Sequence, residues 1–262
     1  MANKVQGEDL TQQGHIHSSI DKSVCTIEFY HPSHNSLPSK LLSELAQSIL
    51  DNGANPDVLL ILLKSAGDRT FCAGASFDEL VAISDEEQGK TFFQGFAKVI
   101  NAIRTCGKIV IGRVQGKAVG GGVGLASAVD YCMATKYASV KLSELAVGIG
   151  PFVIGPAVER KMGLAAYSGM AINATEWYTA KWAKSRGLFQ EVFDTAELMD
   201  DYLDRFITTL KGMNPEALTG LKKVFWEGTE NWDQLLDDRA ETSGQLVLSK
   251  FSKDTISKFL KA

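Results

Sequence analysis

The chain has 262 residues, is 45% hydrophobic and carries a formal net charge of −4, with both signs spread along it. This is enough apolar material for one sizeable core. The lack of a long basic block argues against a nucleic-acid partner, and the apolar runs are too short and too broken by glycine to span a membrane.

In chain order, residues 1–17 read as a flexible polar arm without a secretory h-region, which predicts a cytoplasmic protein. "VCTIEFY" (24–30) predicts a strand, and "HPSHNSLP" a turn. The spacing of Leu41, Leu42, Leu45, Ile49 and Leu50 predicts a helix. "VLLILLKS" (58–65) is a continuous apolar run between turn residues, as in a strand buried on both faces. "AGDRTFCAGASFDEL" is predicted as a loop, 86–105 as a helix and 108–116 as a second buried strand. A helix is expected from Gly120 to Asp130, then two short strands in "YCMATKYASVKLSEL" and helix through 156–186. Strand–strand–helix units thus recur, and after 195 the pattern is helical only. The expectation is an α/β core over 18–194 followed by a helical C-terminal region over 195–262.

Several motifs fail. The dinucleotide fingerprint G-x-G-x-x-G needs a third glycine where Leu125 stands. No G-x-S-x-G, H-E-x-x-H or P-loop is present. The histidines His15, His17, His31 and His34 fall in the arm and the first turn, where solvated loop histidines are the common case. Cys25, Cys72, Cys106 and Cys132 are widely spaced, as free thiols in a reducing compartment would be. The glycine run Gly120–Gly122, with Gly124 just beyond, invites another reading. Backbone N–H groups at a helix start have no intrahelical acceptor and sit at the positive end of the dipole. Glycine lets a ligand reach them, so such a place suits a carbonyl oxygen that becomes an oxyanion. A second donor is expected from "FCAGASF" (71–77).

"FCAGASFDEL", "GKAVGGGVGLASAVDYCMAT" and "VKLSELAVGIGP", in that order, resemble the enoyl-CoA hydratase/isomerase (crotonase) family from about residue 18 to the C-terminus. The resemblance implies a spiral of strand–strand–helix turns, a helical region that builds trimers or hexamers, and acyl-CoA thioesters as substrates with no other cofactor. A carrier-protein-bound acyl group is left open. It also implies that the N–H groups of Ala75 and Gly121 are the oxyanion donors, with Ala73, Gly74, Gly120, Gly122 and Gly124 around the substrate. A hydratase of the family usually has two glutamates. Here the first position is Gly124 and the second is Glu144. A single carboxylate suits an isomerase, which takes a proton from C2 of a 3-enoyl-CoA and returns it at C4. The stretch "GIGPFVIGPAVERKMG", with Phe152 after its proline, is similar to the corresponding part of Δ3,Δ2-enoyl-CoA isomerases. A hydratase drawing on Asp78 or Glu79, a decarboxylase and a non-catalytic acyl-CoA binder stay open.

For the CoA itself, Asn35, Ser36 and Leu37 match the family's loop after the first strand. Asp78 stands where relatives often carry a lysine. Lys258 and Lys261 are candidates to supply charge instead, and Phe259 resembles an aromatic given to a neighbouring subunit's site. The three phenylalanines of "TFFQGFAKVI" fit an acyl pocket or the core equally well.

Overall fold

The computed structural model describes residues 13–259. Strands β1 (His15–Asp21) and β2 (Val24–Tyr30) form an antiparallel hairpin. Then come β3 (Ser36–Leu37) and α1 (Ser39–Ala54), followed by β4 (Leu60–Ser65), β5 (Thr70–Cys72), β6 (Gly74–Ala75), α2 (Phe77–Ala82) and α3 (Glu86–Thr105). The next turn is β7 (Ile109–Val114), β8 (Lys117–Val119) and α4 (Gly121–Ala128). Another is β9 (Tyr131–Thr135), β10 (Ser139–Lys141), a 3-10 turn at Glu144–Val147, α5 (Gly155–Met162) and α6 (Leu164–Ile172). After β11 (Tyr178–Thr179), α7 (Ala180–Ser185) and β12 (Glu191–Phe193) the chain is helical: α8 (Ala196–Lys211), α9 (Pro215–Phe225), α10 (Trp232–Val247) and α11 (Lys250–Phe259).

The first strand of each turn joins one sheet, ordered β1-β2-β4-β7-β9-β12 and parallel except at β1. The second strand joins a smaller sheet, β11-β10-β8-β5, while β3 pairs only with β6. This is the expected α/β spiral with a helical C-terminal region. The large sheet is apolar on both faces. Ile27, Ile61, Val110 and Cys132 point into the main core under α1, α3 and α4, while Leu60, Leu62, Ile109 and Met133 meet Met199, Leu203 and Leu218 of α8 and α9. Covering both faces is what makes the central strands read as unbroken apolar runs. All four cysteines are free and buried.

Three expectations need correction. The helix expected through 156–186 is interrupted at Gly163 (φ +81°) and again after α6, where β11 precedes α7. The N-terminal arm does not extend to residue 17, because His15, Ile16 and His17 belong to β1. That strand is mostly exposed and held by its pairing to β2, so it carries no apolar alternation to read. The predicted loop over 66–80 contains β5, β6 and the start of α2. Strands of two or three residues are too short to show a period, while α2 is set by Ser76, whose hydroxyl accepts from the Glu79 N–H.

Two contacts tie the parts together. The Asp130 carboxylate, at the end of α4, is almost wholly buried. It accepts from Lys222 Nζ (2.7 Å), Trp226 Nε1 (3.0 Å) and the Val110 N–H (2.8 Å), which joins α9 to the sheet. At the crossing of α3 and α10, a β-carbon on Gly89 would lie 2.8 Å from the Gly244 Cα.

Candidate active site

The start of α4 and the β5–β6 corner meet. A β-carbon on Gly74 would lie 3.3 Å from the Val119 carbonyl oxygen and 3.7 Å from the Gly121 nitrogen. Gly74 (φ +94°) and Gly120 (φ +51°) both adopt the left-handed conformations that glycine tolerates. Gly121 opens α4, so its N–H has no intrahelical acceptor. Among the described residues no other group accepts from it. Gly122 packs against β5 so closely that a β-carbon would run into the Cys72 carbonyl oxygen. Gly122→Ala is therefore expected to cost about 1–3 kcal/mol, read as a lower urea midpoint, because backbone cannot move aside as a side chain can.

The β6 corner is braced from several sides. The Ser36 hydroxyl donates to the Ala75 carbonyl (2.7 Å), the Ser76 N–H to Leu37 O (3.0 Å), and the Gly74 N–H to Cys72 Sγ (3.4 Å). Asn35, itself at φ +56°, is buried. Its amide donates to the carbonyls of Ala66 and Thr70 (2.9 Å each), and its Oδ1 accepts from the His31 N–H (2.8 Å).

A cavity of about 190 Å³ opens where the two loops meet. Ala73, Gly74 and Ala75 line it from one loop and Gly120 and Gly121 from the other. Ser143 and Glu144 face it from the 3-10 turn. Phe152, Val153 and Ile154 close it ahead of α5. Phe92, Phe93 and Phe96 of α3, with Phe77 and Leu80 of α2, make an apolar wall that Ser243 of α10 completes. The three phenylalanines therefore do line a pocket, and the Phe96 ring sits where a Gly121 β-carbon would be.

Glu144 is the single ionisable side chain on this lining. Its main chain lies on a partly exposed turn, but Oε2 is shut off from solvent and has no hydrogen-bond partner. Its Oε1 lies over Gly120, 2.9 Å from the place of a β-carbon there. Burial pushes the Glu144 carboxyl up from the usual 4.5 to about 7, against a smaller downward pull from the backbone amides of Glu144 and Ser143.

The structure does not bring every predicted site residue to the cavity. Gly124 lies beneath Ile154. A β-carbon at 124 would stand 2.5 Å from Ile154 Cγ2 and 2.8 Å from Ile154 Cβ. Gly122, Asn35, Ser36 and Leu37 do not line the cavity either. Leu37 is fully buried, and the Asn35 side chain is taken up by internal hydrogen bonds. Asp78 is exposed, and Glu79 accepts from the N–H and hydroxyl of Ser39 (2.9 and 2.6 Å), so neither acid reaches the lining. Lys261 lies outside the described residues, as does the side chain of Phe259. Among the described residues no helix is long and apolar enough to cross a membrane. Ile154 escapes a reading of the sequence because thirty residues separate it from Gly124, and only the packing of α5 on α4 brings them together.

Residues 19–261 match the family model described as enoyl-CoA hydratase/isomerase, and the chain belongs to that family. The peroxisomal Delta(3,5)-Delta(2,4)-dienoyl-CoA isomerase of Arabidopsis thaliana is 29% identical over 92% of this chain and 91% of the relative. The carnitinyl-CoA dehydratase of Escherichia coli K12 is 27% identical over 80% of this chain and 79% of its own. Among solved structures, an enoyl-CoA hydratase from Bacillus halodurans superposes with a TM-score of 0.86 at 19% identity, covering 93% of this chain and 99% of that one. One from Mycobacterium avium gives 0.82 at 24%, covering 94% and 96%. At these identities the structural likeness speaks for the fold alone.

Proposed function

We propose that this protein is an enoyl-CoA isomerase that moves a double bond from C3 to C2, with Glu144 as its one acid–base group. The thioester oxygen is received by the N–H groups of Ala75 and Gly121, and no cofactor is needed beyond the CoA of the substrate. Glu144 takes the proton from C2 and the charge spreads onto the thioester oxygen. The same carboxyl then gives the proton to C4, while the electron pair forms the C2–C3 double bond. A donor of this kind typically contributes about 3 kcal/mol to such an intermediate. A carboxyl that titrates near 7 can both accept and return a proton at neutral pH.

The observation that carries this reading is the lone carboxylate. Adding water across a double bond calls for groups that hold and activate the water, and besides Glu144 the lining offers no acid or base, only the hydroxyls of Ser143 and Ser243 among apolar side chains and backbone. The dienoyl relative moves two conjugated double bonds, which asks for proton delivery further along the chain. That is a second substrate class to test. Assembly into trimers is part of the proposal and is read by light scattering.

Purified protein given a 3-hexenoyl thioester of CoA is expected to yield the 2-enoyl product at unchanged mass. A 3,5-dienoyl thioester should turn over more slowly. Rapid addition of water to crotonyl-CoA by the unaltered protein would overturn the assignment in favour of a hydratase. Turnover of a 3-methylglutaconyl-type thioester with loss of carbon dioxide would point to a decarboxylase.

A further inference from the structure

Beyond the lone carboxylate, the cavity has an unusual wall. Where a side chain at 124 would project, there is none, and Ile154 fills the space down to bare backbone. Ile154 is 4% exposed, yet it also lines the cavity. Ile100 Cδ1 backs the same space, 3.9 Å from where the 124 β-carbon would be. The segment that carries Ile154 is fixed by Tyr167, whose hydroxyl donates to the Pro151 carbonyl (3.2 Å). One turn back along the same backbone, where the Gly124 N–H donates to the Gly120 carbonyl (3.2 Å), Glu144 lies over Gly120, and its Oε2 has no protein partner and no solvent contact.

We infer that Ile154, seated on the bare backbone of Gly124, determines the outcome of the reaction by sealing the enolate and the protonated Glu144 from water. The inference rests on the isomerase reading above and adds to it a specificity-determining residue. When C2–H breaks, the proton moves to Glu144 and the electron pair enters the dienolate. With no water beside it, the proton has one destination, the new C4–H bond. Were water held there, two other events would follow. The carboxyl proton would exchange with solvent, and the C2–C3 double bond of the product would take up water, oxygen at C3 and hydrogen at C2. A closed site keeps both from happening.

Valine and threonine have the same shape, so they separate sealing from packing. Ile154→Val leaves a small apolar gap, which stays dry. Ile154→Thr leaves the same gap with a hydroxyl, so that a water has partners in the hydroxyl and in Glu144 Oε2. The substrate is 3-hexenoyl-CoA carrying deuterium at C2, turned over in ordinary water, and the product is analysed for deuterium at C4. The unaltered protein is expected to retain more than about half of the transferred label, and Ile154→Val to stay within about twofold of it. Ile154→Thr should lower retention at least about threefold and form 3-hydroxyacyl-CoA from crotonyl-CoA. Should the threonine protein fail to accumulate, Ile154→Ser is compared instead with Ile154→Ala, whose residue is close to it in size and lacks the hydroxyl.

Equal behaviour of the valine and threonine proteins would overturn the role of Ile154. Complete loss of label in the unaltered protein, with isomerisation intact, would overturn the sealing and leave the isomerase reading standing. Absence of isomerisation by the unaltered protein would sink that reading, and this inference with it.

Discussion

Replacing Glu144 by glutamine is expected to lower kcat on a 3-enoyl-CoA by about 10²- to 10⁴-fold while making the folded chain more stable above neutral pH. The two effects share one cause. Burial raises the carboxyl from 4.5 to about 7. Between those values the folded chain holds a proton that the unfolded chain has released. Stability therefore falls as pH rises from 4.5 towards 7 and stays lowered above it. The whole difference is on the order of 3 kcal/mol. Glutamine has nearly the same shape and never ionises, so at pH 8 it should recover much of that amount, less what its own unpaired amide costs. At pH 5 the gain should be under about 1 kcal/mol. Urea unfolding of both proteins at the two pH values reads this directly. Under the proposed mechanism, in which the carboxylate acts as the base, kcat/KM of the unaltered protein should rise through pH about 7 and level off. Equal stability of the two proteins at pH 8 would mean that the carboxylate reaches water in solution.

The second large effect lies away from the cavity. Lys222→Met should destabilise the fold by about 3–5 kcal/mol, because it strands the Asp130 carboxylate where water cannot reach it. The Val110 and Trp226 donors remain without charge, and the neighbouring Arg160 and Lys161, the latter donating to the Asp130 main-chain carbonyl (3.0 Å), offset only part of the loss because neither hydrogen-bonds the carboxylate. The double change Asp130→Asn with Lys222→Met removes both charges and should recover more than half of the loss. Urea midpoints for the single and double variants test this. A loss below about 1 kcal/mol in the single variant would show that the pair contributes little beyond its packing.

These two sites differ in how far the sequence announces them. Glu144, Ala75 and Gly121 sit in short motifs at fixed spacing, where bare backbone and one acid are local features. The central strands were legible for a similar reason, since two buried faces leave an unbroken apolar run in the chain. The partners of these features were not legible. Asp130 and Lys222 are 92 positions apart, and nothing local marks either as buried. Asn35 has the same composition whether its side chain reaches outward to a ligand or turns inward to Ala66 and Thr70. Phe92, Phe93 and Phe96 fit core and pocket alike, until α2 and α10 join them in lining one cavity. Local geometry and backbone chemistry are written in short stretches, whereas what stands across a gap is settled by packing.

The glycine-to-glycine crossing of α3 and α10 bears on how this chain can be re-engineered. The backbones of the two helices touch at Gly89 and Gly244, with no side chain between them to absorb a change in position. Phe92, Phe93 and Phe96 begin one turn further along α3, and Ser243 adjoins Gly244. A shift of α10 is thus transmitted to the wall against which the acyl chain would lie. The change near residue 194 is one of secondary-structure type and offers no clean place to graft. A chimera that takes its C-terminal helices from a relative must take α3 from the same parent, because the two helices form a matched pair.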